Sequence, residues 1–160
     1  MTGSLGERAL LAVEALILPI RTANGSATES GANVLVSPVY ADMEDGTDWE
    51  TLVYVASEVN TADGKGEQTS IAGNMRTYWS VLTLNIDVHT RIDPARAGVQ
   101  VEQIKDDIRA AMLPEHGILY LSGARVGSLH YIGSTLITDL LAAGVIGLRS
   151  QVIVKAQSRI

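Results

Sequence analysis

The run from Tyr78 to Arg91 constrains the fold more than any other feature: Leu82, Leu84, Ile86 and Val88 alternate with Thr83, Asn85, Asp87 and His89. Side chains two apart on a strand share a face, so this pattern predicts a long strand with one apolar and one polar side. An apolar face must be covered, and two amphipathic segments are available to cover it. In the first, residues 4–22, Ser4 and Glu7 have the spacing of a capping box, and Leu10, Val13, Ile17 and Ile20 form an apolar stripe. Glu7, Glu14 and Arg21 mark its solvated side. Leu11 and Leu18 flank that side and widen the apolar surface, which predicts a helix covered on more than one side. In the second, Asp93 and Pro94 open a helix in which Val101, Ile104, Ile108 and Met112 lie opposite Glu102, Lys105, Asp106 and Arg109. Pro114 and Gly117 end it.

The remaining strands are shorter. Residues 34–40 read as an edge or bulged strand because of Pro38, joined through a polar turn at 41–50 to a strand at 51–58, a natural hairpin. Residues 59–74 read as a long loop, 118–126 and 148–157 as strands, and 135–143 as a short helix. The expected order is helix, three strands, helix, two strands. That order gives an α+β fold, a mainly antiparallel β-sheet with two α-helices packed on one face, in a single domain over residues 1–160.

Charge and composition narrow the function. The net charge is −6 and no basic run exists to neutralise a series of phosphates, which disfavours nucleic-acid binding. The chain has no cysteine, so disulfides, thiolate nucleophiles and zinc–sulfur sites are excluded together. The longest apolar stretch, Ala9 to Ile20, is interrupted by Glu14 and falls short of the ~20 residues of a membrane-spanning helix. Glu7 and Glu14 also spoil any signal-peptide pattern, so synthesis in the cytoplasm is expected.

Candidate chemistry is sparse. Asp87 and His89 share a strand face, where a carboxylate can orient an imidazole, but His116 and His130 stand at no zinc-ligand spacing. A solvated or interfacial His89 is the expectation. Asp42, Glu44, Asp45, Asp48 and Glu50 surround Gly46 without the spacing of a calcium loop. Gly64, Lys65 and Gly66 lack the frame of a phosphate-binding loop, and Ser70, Ser80, Ser122, Ser128 and Ser134 lack that of a nucleophile elbow. No catalytic residue, metal or cofactor is therefore expected. Trp49 and Trp79 stand near strand ends in a chain without phenylalanine, as core lids or as anchors of a subunit contact. By position and chemistry the candidate interface residues are Asp45, Asp48, Trp49, Lys65, Glu67, Trp79, Asp87, His89, Arg149 and Gln151.

Three features carry a resemblance: the amphipathic helix from Glu7 to Ile20 followed by strands and a long loop, the segment VHTRIDPARAGVQVEQIKDDIRAAM from Val88 to Met112, and the final strand from Arg149 to Lys155. With these the chain resembles the tail terminator, or tail completion, proteins of long-tailed bacteriophages and related prophage elements. The resemblance implies a self-assembled hexameric ring in the virion neck, capping the head-proximal end of the tail tube. Its implied partners are the tail-tube protein and the head-completion connector, with DNA passing through unbound and no membrane involved. Rings arise from heterologous contacts between two different patches, and an acidic subunit lets DNA slide. The segments 59–74 and 128–147 depart from the family pattern, so no individual family residue is carried over. Two alternatives remain at this stage. One is another head–tail connector or tail-tube subunit. The other is a small metal-dependent cytosolic enzyme using Asp87, His89 and the carboxylates of 42–50.

Overall fold

The computed structural model describes residues 4–37, 49–58, 68–72, 75–114, 117–121 and 125–159. Along these the order is α1 (Leu5–Ile17), β1 (Val34–Leu35), β2 (Thr51–Ser57), β3 (Gln68–Ala72), β4 (Met75–Arg91), α2 (Ala97–Ala111), β5 (Ile118–Leu121), β6 (Arg125–Ile137) and β7 (Val145–Arg159). All strands belong to one sheet in the order β1-β2-β4-β7-β6-β5. β7 pairs with β4 from Thr77↔Arg159 to Arg91↔Val145. The other edge of β4 is shared: β3 pairs with its start and β2 with its end. The fold is α+β, with a mostly antiparallel sheet and both helices on one face.

The long alternating run is thus the sheet's central strand, and its parity decides what each neighbour buries. Leu84, Ile86 and Val88 face the helices together with Val53 and Val55 of β2 and Val152, Val154 and Ala156 of β7. Against them pack Ala9, Val13 and Ile17 of α1, Ile20 just beyond it, and Ile104, Ile108 and Met112 along α2. Each valine, leucine, isoleucine or methionine among them that is withdrawn from water contributes about 1.5–3 kcal/mol. α1 begins where the sequence predicts, with the Ser4 hydroxyl accepting the Glu7 N–H at 3.1 Å. α2 begins at Ala97, later than Asp93, because Asp93 and Gln100 first close the approach: the Asp93 N–H donates to the Gln100 side chain, which donates back to the Arg91 carbonyl.

One expectation about α1 fails. The helix is covered on one side only: Leu11 remains 48% exposed and Leu18 47%. The sheet and α2 occupy the stripe of Val13 and Ile17, and among the described residues nothing reaches round to the opposite flank. The chain leaving α1 turns back tightly, with the Gly31 N–H donating to the Ile20 carbonyl at 2.8 Å. A Cβ at Gly31 would lie 2.2 Å from the Leu18 carbonyl oxygen, so no larger residue fits there. The same loop is tied to α2 by Asp107, whose carboxylate accepts the Thr28 N–H at 2.8 Å, the Thr28 hydroxyl at 2.7 Å and the Ala27 N–H at 3.3 Å.

Four strand expectations need correction. The first strand is two residues long and runs parallel to β2, with Val34 opposite Val53, where a hairpin is expected. Parallel neighbours need a long crossover rather than a tight turn, and residues 36–50 intervene, of which 38–48 lie outside the described residues. The expected loop 59–74 contains β3, whose Ala72 pairs with Met75. The expected strand 118–126 is a hairpin, β5 and β6, closing at Leu121↔Arg125. The expected helix at 135–143 is the end of β6 followed by a short 3-10 turn at Leu141–Ala143. A β-bulge explains the last misreading. Between Tyr131 and Gly133 the register against β7 slips by one, so Leu129 and Tyr131 share the helix-facing side with Ser134 and Leu136. That change of parity erases the period-two signal.

Candidate functional site

The polar parity of β4 converges with its neighbours on the sheet face turned away from the helices. Asn85, Asp87 and His89 lie opposite Gln151, Arg149 and Gly147 of β7 and opposite Ala56, Tyr54 and Leu52 of β2. Gln151 donates to the Asn85 side-chain oxygen at 3.0 Å. Arg149 forms a fork on Asp87, Nε to Oδ1 at 2.8 Å and Nη2 to Oδ2 at 2.9 Å. The planar guanidinium matches the carboxylate in this two-pronged geometry, which specifies arginine over lysine.

This face is less open than its composition suggests. Asp87 is 5% exposed, Tyr54 2% and His89 0%, which corrects the expectation of a solvated or interfacial His89: the ring is enclosed by its own chain. Its room comes from Gly147, where a Cβ would lie 2.9 Å from the Ile137 Cβ and 3.0 Å from His89 Nδ1. Tyr54 meets the imidazole edge-on, at 5.9 Å between centroids and 75° between planes. Burial pushes the His89 pKa below its ordinary value of 6.5, against the pull of the nearby Asp87 carboxylate. The imidazole is therefore neutral at physiological pH.

Next to His89 a second apolar cluster forms from Trp49, Leu52, Tyr54 and Val145, with Leu35 and Leu140 packed on it. Arg91 stacks over the Trp49 ring, 4.4 Å from its centroid, while its Nε donates to the Trp49 carbonyl at 2.7 Å. Trp49 is 6% exposed, so in the described chain it serves as a lid on this cluster. Beside the cluster opens a cleft of about 360 Å³, lined by His89, Arg149 and the segment from Thr135 to Leu140.

The face thus gathers Trp49, Asp87, His89, Arg149 and Gln151. Asp45, Asp48, Lys65 and Glu67 lie outside the described residues. Trp79 sits in β4 opposite Gln68 and Gln157, with its side chain outside the description. Sequence reasoning missed Tyr54, Asn85, Arg91 and Gly147. Asn85 shares the parity of Asp87 and His89 and was therefore legible, whereas Gly147 acquires meaning only once it is known to face His89.

Both Asp87 oxygens accept from Arg149, so the carboxylate is held by a cation rather than set to relay a proton through His89. Among the described residues no group of three or more His, Cys, Asp or Glu side chains is arranged to hold a metal ion. No helix among them is long and apolar enough to cross a membrane. No protein-family model matches the chain, and no curated protein matches it in sequence. Function has to be argued from the residues themselves.

Elsewhere, Glu29 organises the loop after α1. It accepts from the Thr22 hydroxyl, from the Thr22 N–H at 2.8 Å and from Arg21 Nε at 2.6 Å. The Thr22 bonds foremost, with Arg21 in support, lower its pKa to about 2.

Proposed function

We propose that this chain is a structural subunit that assembles into a ring at the head-proximal end of a phage tail tube, where it ends tube polymerisation and presents the surface that joins the head. One observation carries the assembly part of this reading. β4, at 17 residues, extends to about 55 Å, whereas α2, at 15 residues, covers about 22 Å. On β4 the helix-facing core includes Leu82, Leu84, Ile86 and Val88. The start of β4, with β3 on one side and the end of β7 on the other, forms a three-stranded arm running on from Leu82. A narrow ribbon of strands has little stability alone and gains it from a surface that covers it.

In a ring the covering surface belongs to the next subunit, and a contact between arm and body is heterologous, the kind that closes into a cycle. The tail and the head-proximal position come from the family resemblance, as do the hexamer, the tube and connector partners and the virion location. The net charge of −6 suits a lumen through which DNA moves without adhering. In this reading the role is structural rather than catalytic.

Light scattering combined with negative-stain microscopy tests the ring, and pelleting with purified tail tubes tests its place. Closed rings that bind tube ends are expected. Monomers at high concentration together with no binding to tubes would overturn the proposal. A tube-like distribution along the whole tail would favour a tail-tube subunit instead.

A further inference from the structure

The loop that follows α1 carries the chain's single Asn-Gly pair, Asn24-Gly25. Asn24 ends a 3-10 turn, Thr22–Asn24, and Gly25 caps it in the left-handed region at φ 91°. Space is not what selects glycine there, since nothing lies within 4 Å of the position a Cβ would take. The backbone conformation selects it. The same missing side chain leaves the Gly25 nitrogen open to the carboxamide of the residue before it, and both residues stand exposed at the surface.

Both groups are engaged in the folded loop. The Gly25 N–H donates to the Thr22 carbonyl at 3.1 Å, and Asn24 Nδ2 donates to the Pro19 carbonyl at 3.0 Å. The start of the turn is pinned by Glu29, which accepts from the N–H and the hydroxyl of Thr22 and from Arg21. Asn24 is thus a clasp, closing the loop back onto the segment that leaves α1.

We propose that Asn24 is a modification site, deamidating to aspartate and isoaspartate at a rate set by the opening of this clasp. The Gly25 nitrogen gives up its proton to water or hydroxide and attacks Asn24 Cγ. The N–Cγ bond forms as the Cγ–Nδ2 bond breaks, and Nδ2 leaves with a proton as ammonia. Water then opens the five-membered succinimide: cleavage at Cγ gives aspartate, and cleavage at the main-chain carbonyl gives isoaspartate. One water enters and one ammonia leaves, with no change of oxidation state. Ring closure brings the Gly25 nitrogen onto the carboxamide, so the bonds to Thr22 and Pro19 open first. The product cannot restore the clasp, because a carboxylate has no donor for the Pro19 carbonyl. It also adds a negative charge to a loop that already holds Glu29. The inference does not depend on the ring.

The test incubates the full chain and a free peptide with the sequence of residues 20–28 side by side at pH 8, and reads Asn24 by tandem mass spectrometry of digests. Conversion is expected in both, and about tenfold slower in the folded chain, a factor set by the two hydrogen bonds that must open. Glu29→Ala, which releases Thr22, is expected to raise the rate in the folded chain about fivefold with an unchanged circular dichroism spectrum. Asn24→Asp, the finished product, is expected to speed hydrogen exchange at the Gly25 and Ser26 amides about fivefold. No conversion at Asn24 while the peptide converts, or equal rates in chain and peptide, would overturn the proposal. Indifference of the rate to Glu29→Ala in a folded variant would remove the gate and overturn it too. Unchanged exchange in Asn24→Asp would show that the side chain clasps nothing, with the same consequence.

Discussion

His89 and Gly147 act as one unit: the missing side chain of one is the space occupied by the other. Gly147→Ala would place a methyl group 2.9 Å from Ile137 Cβ and 3.0 Å from the imidazole, in a pairing fixed from both sides by β4 and β6. Overpacking of this kind costs about 1–3 kcal/mol, to be read from urea unfolding. Gly98, in the first turn of α2, has nothing within 4 Å of the position a Cβ would take, and there the same substitution is expected to stabilise by about 0.5–1 kcal/mol. The imidazole also gives the fold a pH dependence with a definite sign. Its folded pKa lies below 6.5, so below pH 6.5 the unfolded chain takes up a proton that the folded chain resists. The contribution of His89 to stability is present above that pH and is lost as pH falls through the depressed folded value. The melting temperature is expected to drop between pH 7 and pH 5, and His89→Gln, less stable at pH 8, is expected to show a flatter profile over the same range. A parallel decline in both proteins would mean that other groups govern the acid limb.

At the scale of elements, the loop after α1 is held by side chains as well as by its own backbone. Asp107 is the clearest case, since one carboxylate on α2 accepts three donors from residues 27 and 28. Asp107→Ala is expected to cost about 1–2 kcal/mol, because hydrogen bonds to a charged acceptor are worth more than neutral ones but this group stands partly in solvent. Hydrogen exchange should localise the loss to the amides of Ala27 and Thr28. What the sequence made legible follows from how local each signal is. The helices and β4 were readable because a 3.6- or 2-residue period persists over many residues, as in Leu82 to His89. β6 was not, since its bulge at Ile132 exchanges the two faces in mid-strand and leaves Ser134 where an apolar residue would complete the pattern. The parallel pairing of Val34 with Val53 was equally hidden, because nothing local distinguishes a partner reached by a crossover from one reached by a turn. At the candidate site, the same-face spacing of Asp87 and His89 was visible in the sequence. Their burial was not, as it depends on Tyr54, Gly147 and Arg149, which are remote along the chain.

At the scale of the whole molecule, β4 is longer than either helix, and this mismatch gives the assembly proposal a direct test. If the arm of β3, the start of β4 and the end of β7 rests on a neighbouring subunit, damage confined to the arm should separate assembly from folding. Thr77 is suited to this: it pairs with Ser70 on one side and Arg159 on the other, away from the helix-facing core of Leu82 to Val88. Proline there removes a ladder donor and resists the geometry of a strand flanked on both sides, so Thr77→Pro is expected to disorder the arm while sparing the body. The expected outcome by light scattering is loss of the ring, with a monomer whose melting temperature lies within a few degrees of that measured for a dilute, dissociated wild-type sample. Rings of unchanged size in Thr77→Pro would remove the arm from the subunit contact. Joint loss of assembly and of the folded body would show that the arm stabilises the monomer itself and would also remove this argument for the ring.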